Sequence, residues 1–185
     1  NKYGILNQKV LDDKREIEKI IYYCYKKNIT LDSSPNYGQS LNYINILSKD
    51  FVSKISTKVL IGNDDLNSFE IKLSKHLASL KNCSIESVYF HEPKASHIHR
   101  FNDFLIAANK ICADYDVKKL GLSIYEIDDF KYLNCDTKLL NSIQIPVNIL
   151  DKRNIILKDS FQNISLIARS IYLQGLLTSK GINLL

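Results

Sequence analysis

The 185-residue sequence lacks the features that mark several common classes of protein. It contains no methionine, so we expect the natural start of the protein to precede Asn1. Its four cysteines form no CxxC pair and follow no zinc-ligand spacing, which argues against a metal site. We interpret Cys24 and Cys112, which fall at apolar positions, as small core residues in a reducing compartment.

Long apolar runs and clustered basic residues are also missing. No run approaches the ~20 residues that span a bilayer, and no signal peptide opens the chain, so we expect a cytoplasmic protein that does not contact membranes. The 25 basic and 20 acidic residues are scattered, without a basic stripe of the kind that binds nucleic acid. With 45% hydrophobic residues, the composition predicts one globular domain over residues 1–185.

Short apolar runs alternate along the chain with longer amphipathic runs. The predicted strands cover residues 29–31, 55–59, 87–90, 120–124, 143–146 and 164–170. The predicted helices cover residues 13–28, 40–47, 69–80, 98–111 and 127–133. This alternation predicts a parallel sheet, because parallel strands need crossover connections.

Polar residues at the carboxyl ends of the predicted strands help to choose between an open sheet and a barrel. There is no GxGxxG after the first strand and no GxxxxGK[ST], which are the usual phosphate motifs of open sheets. The polar strand-end residues are Asp32, Lys58, His91, Ser123, Gln144 and Ser170. A closed barrel would gather them at one mouth, whereas an open sheet would spread them along a line. The pattern therefore favours a (β/α)8 barrel that is incomplete here, since six strands are visible and a barrel has eight.

Four residues could together carry out chemistry at that mouth, although each alone has an ordinary structural interpretation. A lysine such as Lys58 needs a carboxylate partner, which Asp32 on the adjacent strand can supply. A phenol titrates near ~10, and a nearby ammonium group favours its ionised form, which would let Tyr37 exchange a proton. His91 could donate a hydrogen bond to a carbonyl oxygen. This set fits the reduction of an aldehyde or ketone, with the hydride coming from a nicotinamide cofactor.

The same residues lie in motifs that resemble those of the aldo-keto reductases. The run Leu31-Asp32-Ser33-Ser34-Pro35-Asn36-Tyr37-Gly38 resembles the family's DTA-x-x-YG segment, and Ile55-Ser56-Thr57-Lys58-Val59 resembles its strand-three lysine motif. His91-Glu92-Pro93 is similar to H-x-P, and Gly121-Leu122-Ser123 to G-x-S. The segment that begins at Gln144 resembles the strand-six motif, and Arg169-Ser170-Ile171-Tyr172-Leu173-Gln174-Gly175 resembles the R-S-x-F-L-Q-G form found in a bacterial branch. The motifs occur in the family's order along essentially the whole chain.

The resemblance implies a role for each matched residue. Tyr37 would be the general acid, Lys58 would lower its pKa while held by Asp32, and His91 would orient the carbonyl group of a small-molecule substrate. The cofactor would be NADPH, with NADH as the second candidate.

The resemblance also assigns cofactor contacts. Ser123 and Gln144 would bind the nicotinamide carboxamide. Arg169 stands where many relatives have an aromatic residue stacked on the nicotinamide ring, and Ser170 is assigned to the same site.

The family's first strand would precede Asn1 and its last strand would follow Leu185, so the resemblance implies a chain truncated at both ends. Two alternatives stay open: a non-catalytic binding or regulatory protein on the same scaffold, and an inactive fragment. Neither the oligomeric state nor the particular carbonyl substrate follows from the sequence.

Overall fold

The structure, a computed structural model, describes residues 14–93, 99–125, 136–152 and 163–178. The α-helices are α1 Lys14–Lys26, α2 Ser40–Leu47, α3 Leu66–Ala78 and α4 Phe101–Asp114. The strands are β1 Leu31–Asp32, β2 Ser53–Val59, β3 Cys83–His91, β4 Lys119–Ser123, β5 Ser142–Pro146 and β6 Ser165–Arg169. Two short 3-10 helices cover Thr137–Leu139 and Leu173–Gly175.

The strands form one sheet in the order β1-β2-β3-β4-β5-β6, and every neighbouring pair is parallel. In a flat sheet β1 and β5 would lie roughly 19 Å apart, at about 4.8 Å per strand. Instead, Gln144 Nε2 on β5 donates a hydrogen bond of 3.0 Å to Asp32 Oδ1 on β1. The sheet is therefore curled, and the described strands make up most of a barrel. The predicted incomplete (β/α)8 barrel is confirmed.

Helix α3 shows how an amphipathic pattern builds the outer layer. It begins after Asp65, whose carboxylate accepts a hydrogen bond from the backbone N–H of Ser68 and so caps the first turn. Phe69, Leu73 and Leu77 repeat every four residues and are buried, as the sequence stripe predicts. The ring of Phe69 stacks on Phe90 of β3, with 5.7 Å between ring centroids. This contact fixes the outward face of β3 against the helix layer.

Alternation along β3 separates the helix-packed face from the barrel interior. Val88 and Phe90 face the helices, so Tyr89 points inward, where it is 1% exposed. Ser142 Oγ on β5 donates a hydrogen bond of 3.3 Å to Tyr89 Oη. Gly121 of β4 lies between them: a Cβ there would stand 2.3 Å from the Ser142 carbonyl oxygen and 2.8 Å from Tyr89 Cε1. Position 121 of β4 therefore has room for glycine but not for a residue with a Cβ atom.

Element bounds differ from the prediction most at the start of β3 and in two helices: α3 begins at Leu66 rather than at 69, and α4 ends at Asp114 rather than at 111. β3 begins at Cys83, four residues before the predicted start, because its first residues pair with β2 from Ser53 onward although they show no apolar run. β1 has only two residues. The predicted helix at 127–133, the start of the predicted helix at 98 and Cys135 lie outside the described residues.

The described cysteines are free thiols: Cys112 is buried and Cys24 is half-buried, in agreement with a packing role. Within the described ranges, no helix is long and apolar enough to cross a membrane. The same ranges contain no group of His, Cys, Asp or Glu side chains that could hold a metal ion.

Candidate active site

Five of the predicted residues lie at or near the carboxyl ends of five strands. They are Asp32 on β1, Lys58 on β2, His91 on β3, Ser123 on β4 and Gln144 on β5. Parallel strands that curl into a barrel bring these ends to one mouth. Contacts between the side chains of neighbouring strands bring the site together there.

The centre of the site is an ion pair between Lys58 and Asp32. Lys58 Nζ lies 2.6 Å from Asp32 Oδ2 and 3.5 Å from the carbonyl oxygen of Ser33. The lysine side chain is 1% exposed, whereas the aspartate side chain is 43% exposed. Burial lowers the pKa of Lys58, and the Asp32 carboxylate opposes this change. The predicted pairing of Lys58 with Asp32 is present in the structure.

Tyr37 reaches this pair from the loop between β1 and α2. The loop is held by a hydrogen bond of 2.6 Å between the hydroxyls of Ser33 and Ser40. Gly38, with φ +60°, turns the chain directly after the tyrosine. Lys58 Nζ lies 5.3 Å from the Tyr37 ring centroid. The ring is 44% exposed, so a molecule at the mouth can reach it.

His91 completes the predicted set of four. Its ring centroid lies 6.3 Å from that of Tyr37 in an edge-to-face arrangement, and its side chain is 12% exposed. Nε2 lies 3.5 Å from Glu92 Oε1. Burial lowers the pKa of His91 below its ordinary 6.5, and Glu92 opposes this. The imidazole is therefore mainly neutral at neutral pH and has one N–H to donate.

Four buried polar atoms at the mouth have no hydrogen-bond partner among the described residues: His91 Nδ1, Ser123 Oγ, Gln144 Oε1 and Arg169 Nε. They lie on four consecutive strands, and His91, Ser123 and Gln144 are direct neighbours in the sheet register. Buried polar groups in proteins are nearly always hydrogen-bonded, so a row of unsatisfied ones indicates a place for a polar ligand.

Ser123 and Gln144 have the chemistry needed to hold a carboxamide. The Gln144 amide nitrogen already donates to Asp32, which fixes the amide with Oε1 free to accept. The Ser123 hydroxyl can donate or accept. A carboxamide carries an N–H donor and a C=O acceptor, so the two residues match both ends of the group. The residues present therefore fit the nicotinamide carboxamide that the sequence resemblance implies.

Arg169 and Ser170 lie at the end of β6. The Arg169 guanidinium donates a hydrogen bond of 3.0 Å to the Ile124 carbonyl oxygen and lies 4.4 Å from the Tyr125 ring centroid. The side chain of Arg169 thus crosses from β6 to the end of β4. Ser170 is half-buried with φ +57°, and the described part of the chain shows no hydrogen bond from its hydroxyl to the other site residues.

Sequence reasoning missed Glu92, Ser33 and Tyr125 as contacts of the site. Glu92 and Ser33 lie inside quoted motifs, directly after His91 and Asp32, so their positions were a usable signal. Tyr125 follows β4 and meets Arg169 of β6 through the curl of the sheet. No local pattern predicts that contact.

Comparison with known proteins shows the fold and not the family. No protein-family model and no curated protein sequence matches the chain. Solved structures that match it include a thermostable aldo-keto reductase in complex with the inhibitor epalrestat, at TM-score 0.73 and 18% identity, covering 97% of this chain and 69% of that one. The holo form of an aldo-keto reductase from Bacillus halodurans matches at TM-score 0.71 and 18% identity, covering 90% and 59%.

An aldo-keto reductase from Klebsiella pneumoniae in complex with NADP and acetate matches at TM-score 0.68 and 12% identity, covering 91% of this chain and 62% of that one. Among the most similar solved structures, the chain spans 59% to 70% of the neighbour's length. The chain thus has the barrel fold seen in aldo-keto reductases, over about two thirds of their length.

Proposed function

We propose that this chain carries the active site of an oxidoreductase that reduces an aldehyde or ketone to an alcohol with NADPH, or with NADH as the second candidate. One observation carries the proposal. The ion pair between the buried Lys58 and the partly exposed Asp32 lies beside the ring of Tyr37, and polar atoms of Ser123 and Gln144 that have no hydrogen-bond partner among the described residues lie at the same mouth.

Tyr37 is the proton donor in this proposal. As the proton leaves, negative charge develops on the phenol oxygen, and the ammonium group of Lys58 stabilises it. Asp32 keeps that ammonium charged and in place, because it supplies the opposite charge to a lysine that is otherwise cut off from water. The partial exposure of Tyr37 lets the substrate oxygen approach its hydroxyl.

His91 orients the substrate. A neutral imidazole can donate one hydrogen bond to the carbonyl oxygen, which polarises the carbonyl and holds its carbon open to attack. The lowered pKa of His91 leaves little protonated imidazole at neutral pH, so the proposal assigns the proton transfer to Tyr37.

Ser123 and Gln144 would hold the cofactor through its carboxamide. When bound, the reduced nicotinamide would supply a hydride, and so two electrons, to the carbonyl carbon. Tyr37 would supply the proton that completes the alcohol, so no further reagent is needed.

The test uses the full-length protein and follows the absorbance of NADPH with a panel of small aldehydes and ketones. Tyr37→Phe removes the proton and keeps the ring, so the rate is expected to fall about 10²- to 10⁴-fold. Tyr23→Phe is the matched control, because Tyr23 is an exposed residue of α1. A Tyr37→Phe protein as active as its parent would remove Tyr37 from the mechanism.

A second candidate is a protein that binds the cofactor without turnover. It is favoured by Arg169, which stands at the position where the resemblance implies an aromatic residue. Cofactor fluorescence titration together with the same carbonyl panel separates the two candidates. Tight binding with no reduction of any compound would support the second.

A further inference from the structure

Gln144 of β5 contacts the acid–base group as well as the position proposed for the cofactor. Its Nε2 donates a hydrogen bond of 3.0 Å to Asp32 Oδ1 across the curl of the sheet. The atom that faces Asp32 must be the amide nitrogen, because an ionised carboxylate only accepts hydrogen bonds and would repel the amide oxygen. Gln144 is 4% exposed, so its side chain is held in this contact by its surroundings.

The hydrogen bond divides the two oxygens of Asp32 between two partners. Oδ1 accepts from Gln144 at 3.0 Å, and Oδ2 accepts from Lys58 Nζ at 2.6 Å. With both oxygens held, the carboxylate does not rotate about its Cβ–Cγ bond. If Gln144 were removed, the partly exposed carboxylate could turn towards water, because an exposed ion pair loses side-chain entropy when it keeps one geometry.

The backbone around Gln144 is fixed independently of its side chain. The Ile124 N–H donates a hydrogen bond of 3.0 Å to the Gln144 carbonyl oxygen, and β5 pairs with β4 on one side and with β6 on the other. Asp32, by contrast, lies on β1, which has only two residues. Gln144 therefore lies on the more rigid side of the contact and is able to position Asp32.

The effect of this contact extends to Tyr37 through Lys58. Lys58 Nζ lies 5.3 Å from the Tyr37 ring centroid. The ammonium group stabilises the charge that develops on the phenol oxygen during proton transfer, and this stabilisation weakens with distance. Asp32 holds the ammonium group in place, so a residue that aligns Asp32 acts indirectly on the proton donor.

We propose that Gln144 is a positioning residue for the proton donor: it aligns Asp32 with Lys58 and thereby controls how readily Tyr37 gives up its proton. This role is separate from the contact of Gln144 with the cofactor. It rests on the proposed reductase function for the reaction, whereas the alignment of the ion pair rests on the hydrogen bonds alone.

The variant Gln144→Glu separates the two contacts of the amide in the full-length protein. An introduced carboxyl group 3.0 Å from Asp32 resists ionisation, since two carboxylates this close do not readily both carry a charge. At about pH 5 we expect it to be protonated, so that its O–H donates to Asp32 as the amide does. At about pH 8 it should be ionised, with help from the ammonium group of Lys58, and should repel Asp32. In both states one oxygen remains to accept from the carboxamide.

The single-turnover rate of NADPH oxidation is measured at saturating NADPH and aldehyde, as the ratio of variant to parent at each pH. The ratio removes titrations that both proteins share, such as that of His91. It should be close to one at about pH 5 and should fall by roughly tenfold to hundredfold at about pH 8, the size expected for a lost hydrogen bond to a charged group. The Kd for NADPH, measured by cofactor fluorescence, should change little.

Two variants serve as controls. Ser123→Ala removes a proposed carboxamide contact beside Gln144 in the sheet register and leaves Asp32 untouched. It should raise the Kd for NADPH, with a rate ratio that is the same at both pH values. Asn109→Asp, at an exposed residue of α4, makes the same change from amide to carboxylate outside the site and should alter neither quantity.

A second measurement does not depend on turnover. The titration of Lys58 is followed by NMR in protein labelled with ¹³C at the lysine Cε, and Lys58→Met assigns the signal. Burial lowers the pKa of Lys58 and Asp32 opposes this, so Gln144→Leu should lower the pKa of Lys58 further, whereas Ser123→Ala should not. If the parent reduces no aldehyde, the proposed function fails, while this titration still decides whether Gln144 positions the ion pair.

Two results would overturn the inference. The first is a rate ratio for Gln144→Glu that does not change between the two pH values, which would confine Gln144 to the cofactor contact. The second is a pKa of Lys58 that is the same in Gln144→Leu as in the parent, which would show that Asp32 stays aligned without the amide.

Discussion

The ion pair between Lys58 and Asp32 should respond very differently to the loss of each partner. Lys58 is 1% exposed and Asp32 is 43% exposed. Removing Asp32 leaves a buried ammonium group without its carboxylate partner, and the Ser33 carbonyl oxygen is a distant acceptor at 3.5 Å. Removing Lys58 leaves a carboxylate that water reaches and that still accepts a hydrogen bond from Gln144. The free energy of unfolding should therefore fall much more in the first case.

The magnitude follows from the cost of an uncompensated buried charge. Breaking a buried ion pair by removing one partner costs about 3–5 kcal/mol. Asp32→Asn keeps an oxygen that accepts from Lys58, so we expect the lower end, about 3 kcal/mol. In a protein of this size that corresponds to a decrease in Tm of roughly 6–12 °C. Lys58→Met replaces the ammonium by an apolar chain of similar size and should change stability by no more than about 1 kcal/mol.

The stability defect of Asp32→Asn should also depend on pH. Burial already lowers the pKa of Lys58, and the variant loses the carboxylate that opposes this. The folded state then binds the lysine proton less tightly than the unfolded state does, so its stability rises with pH. The defect should therefore be largest at neutral pH and shrink as the pH approaches the ordinary lysine pKa of 10.5.

The assay is urea denaturation of the full-length parent, Asp32→Asn and Lys58→Met at several pH values. Asp116→Asn is the matched control, because Asp116 forms an exposed pair with Lys118 at 2.7 Å and should cost less than about 1 kcal/mol. Both site variants should also lose the proposed reductase activity, and Lys58→Met should lose it while keeping the parent's stability. Equal destabilisation by the two variants, or a larger effect of Lys58→Met, would refute the reasoning.

Three further predictions concern the barrel interior and its outer layer. Gly121→Ala should lower the free energy of unfolding by about 3 kcal/mol in urea, since its Cβ would clash with a backbone oxygen of Ser142 that cannot move freely. Burial lowers the pKa of His76, which lies 2.9 Å from the Thr57 hydroxyl, so the folded state disfavours the protonated ring. Stability should fall as pH decreases from about 7 to about 5, and less so in His76→Gln. Burial raises the pKa of Cys112 to about 12, so thiol reagents at about pH 8 should label it only after unfolding.

Each of these three predictions would be contradicted by a particular result. Parental stability in the Gly121→Ala variant would mean that β4 and β5 are not packed as closely as described. Equal losses of stability at low pH in the parent and in His76→Gln would show that His76 is not the titrating group. Rapid labelling of Cys112 in the native protein would show that α4 opens readily.

The sequence alone determines the elements of this fold and most of the candidate site. Helix α2 was predicted at its observed bounds, and the buried stripe of α3 follows from its spacing, because an amphipathic period is a local property of the chain. The alternation of strands and helices determines that the sheet is parallel. The same alternation of strands and helices predicts that Asp32, Lys58 and His91 lie at strand ends. In a barrel these ends meet at one mouth, so the three side chains are expected to be close together.

The tertiary structure decides what depends on the register of strands far apart in sequence. Gln144 meets Asp32 across 112 residues, and only the curl of the sheet makes that contact. The first residues of β3 become strand because β2 offers hydrogen-bonding partners, although they have no apolar pattern. Arg169 was predicted as a cofactor contact, but its position over Tyr125 and its lack of a counter-ion among the described residues appear only when β6 is placed beside β5. Local periodicity specifies an element and the face that it buries, whereas contacts between elements depend on how the whole sheet closes.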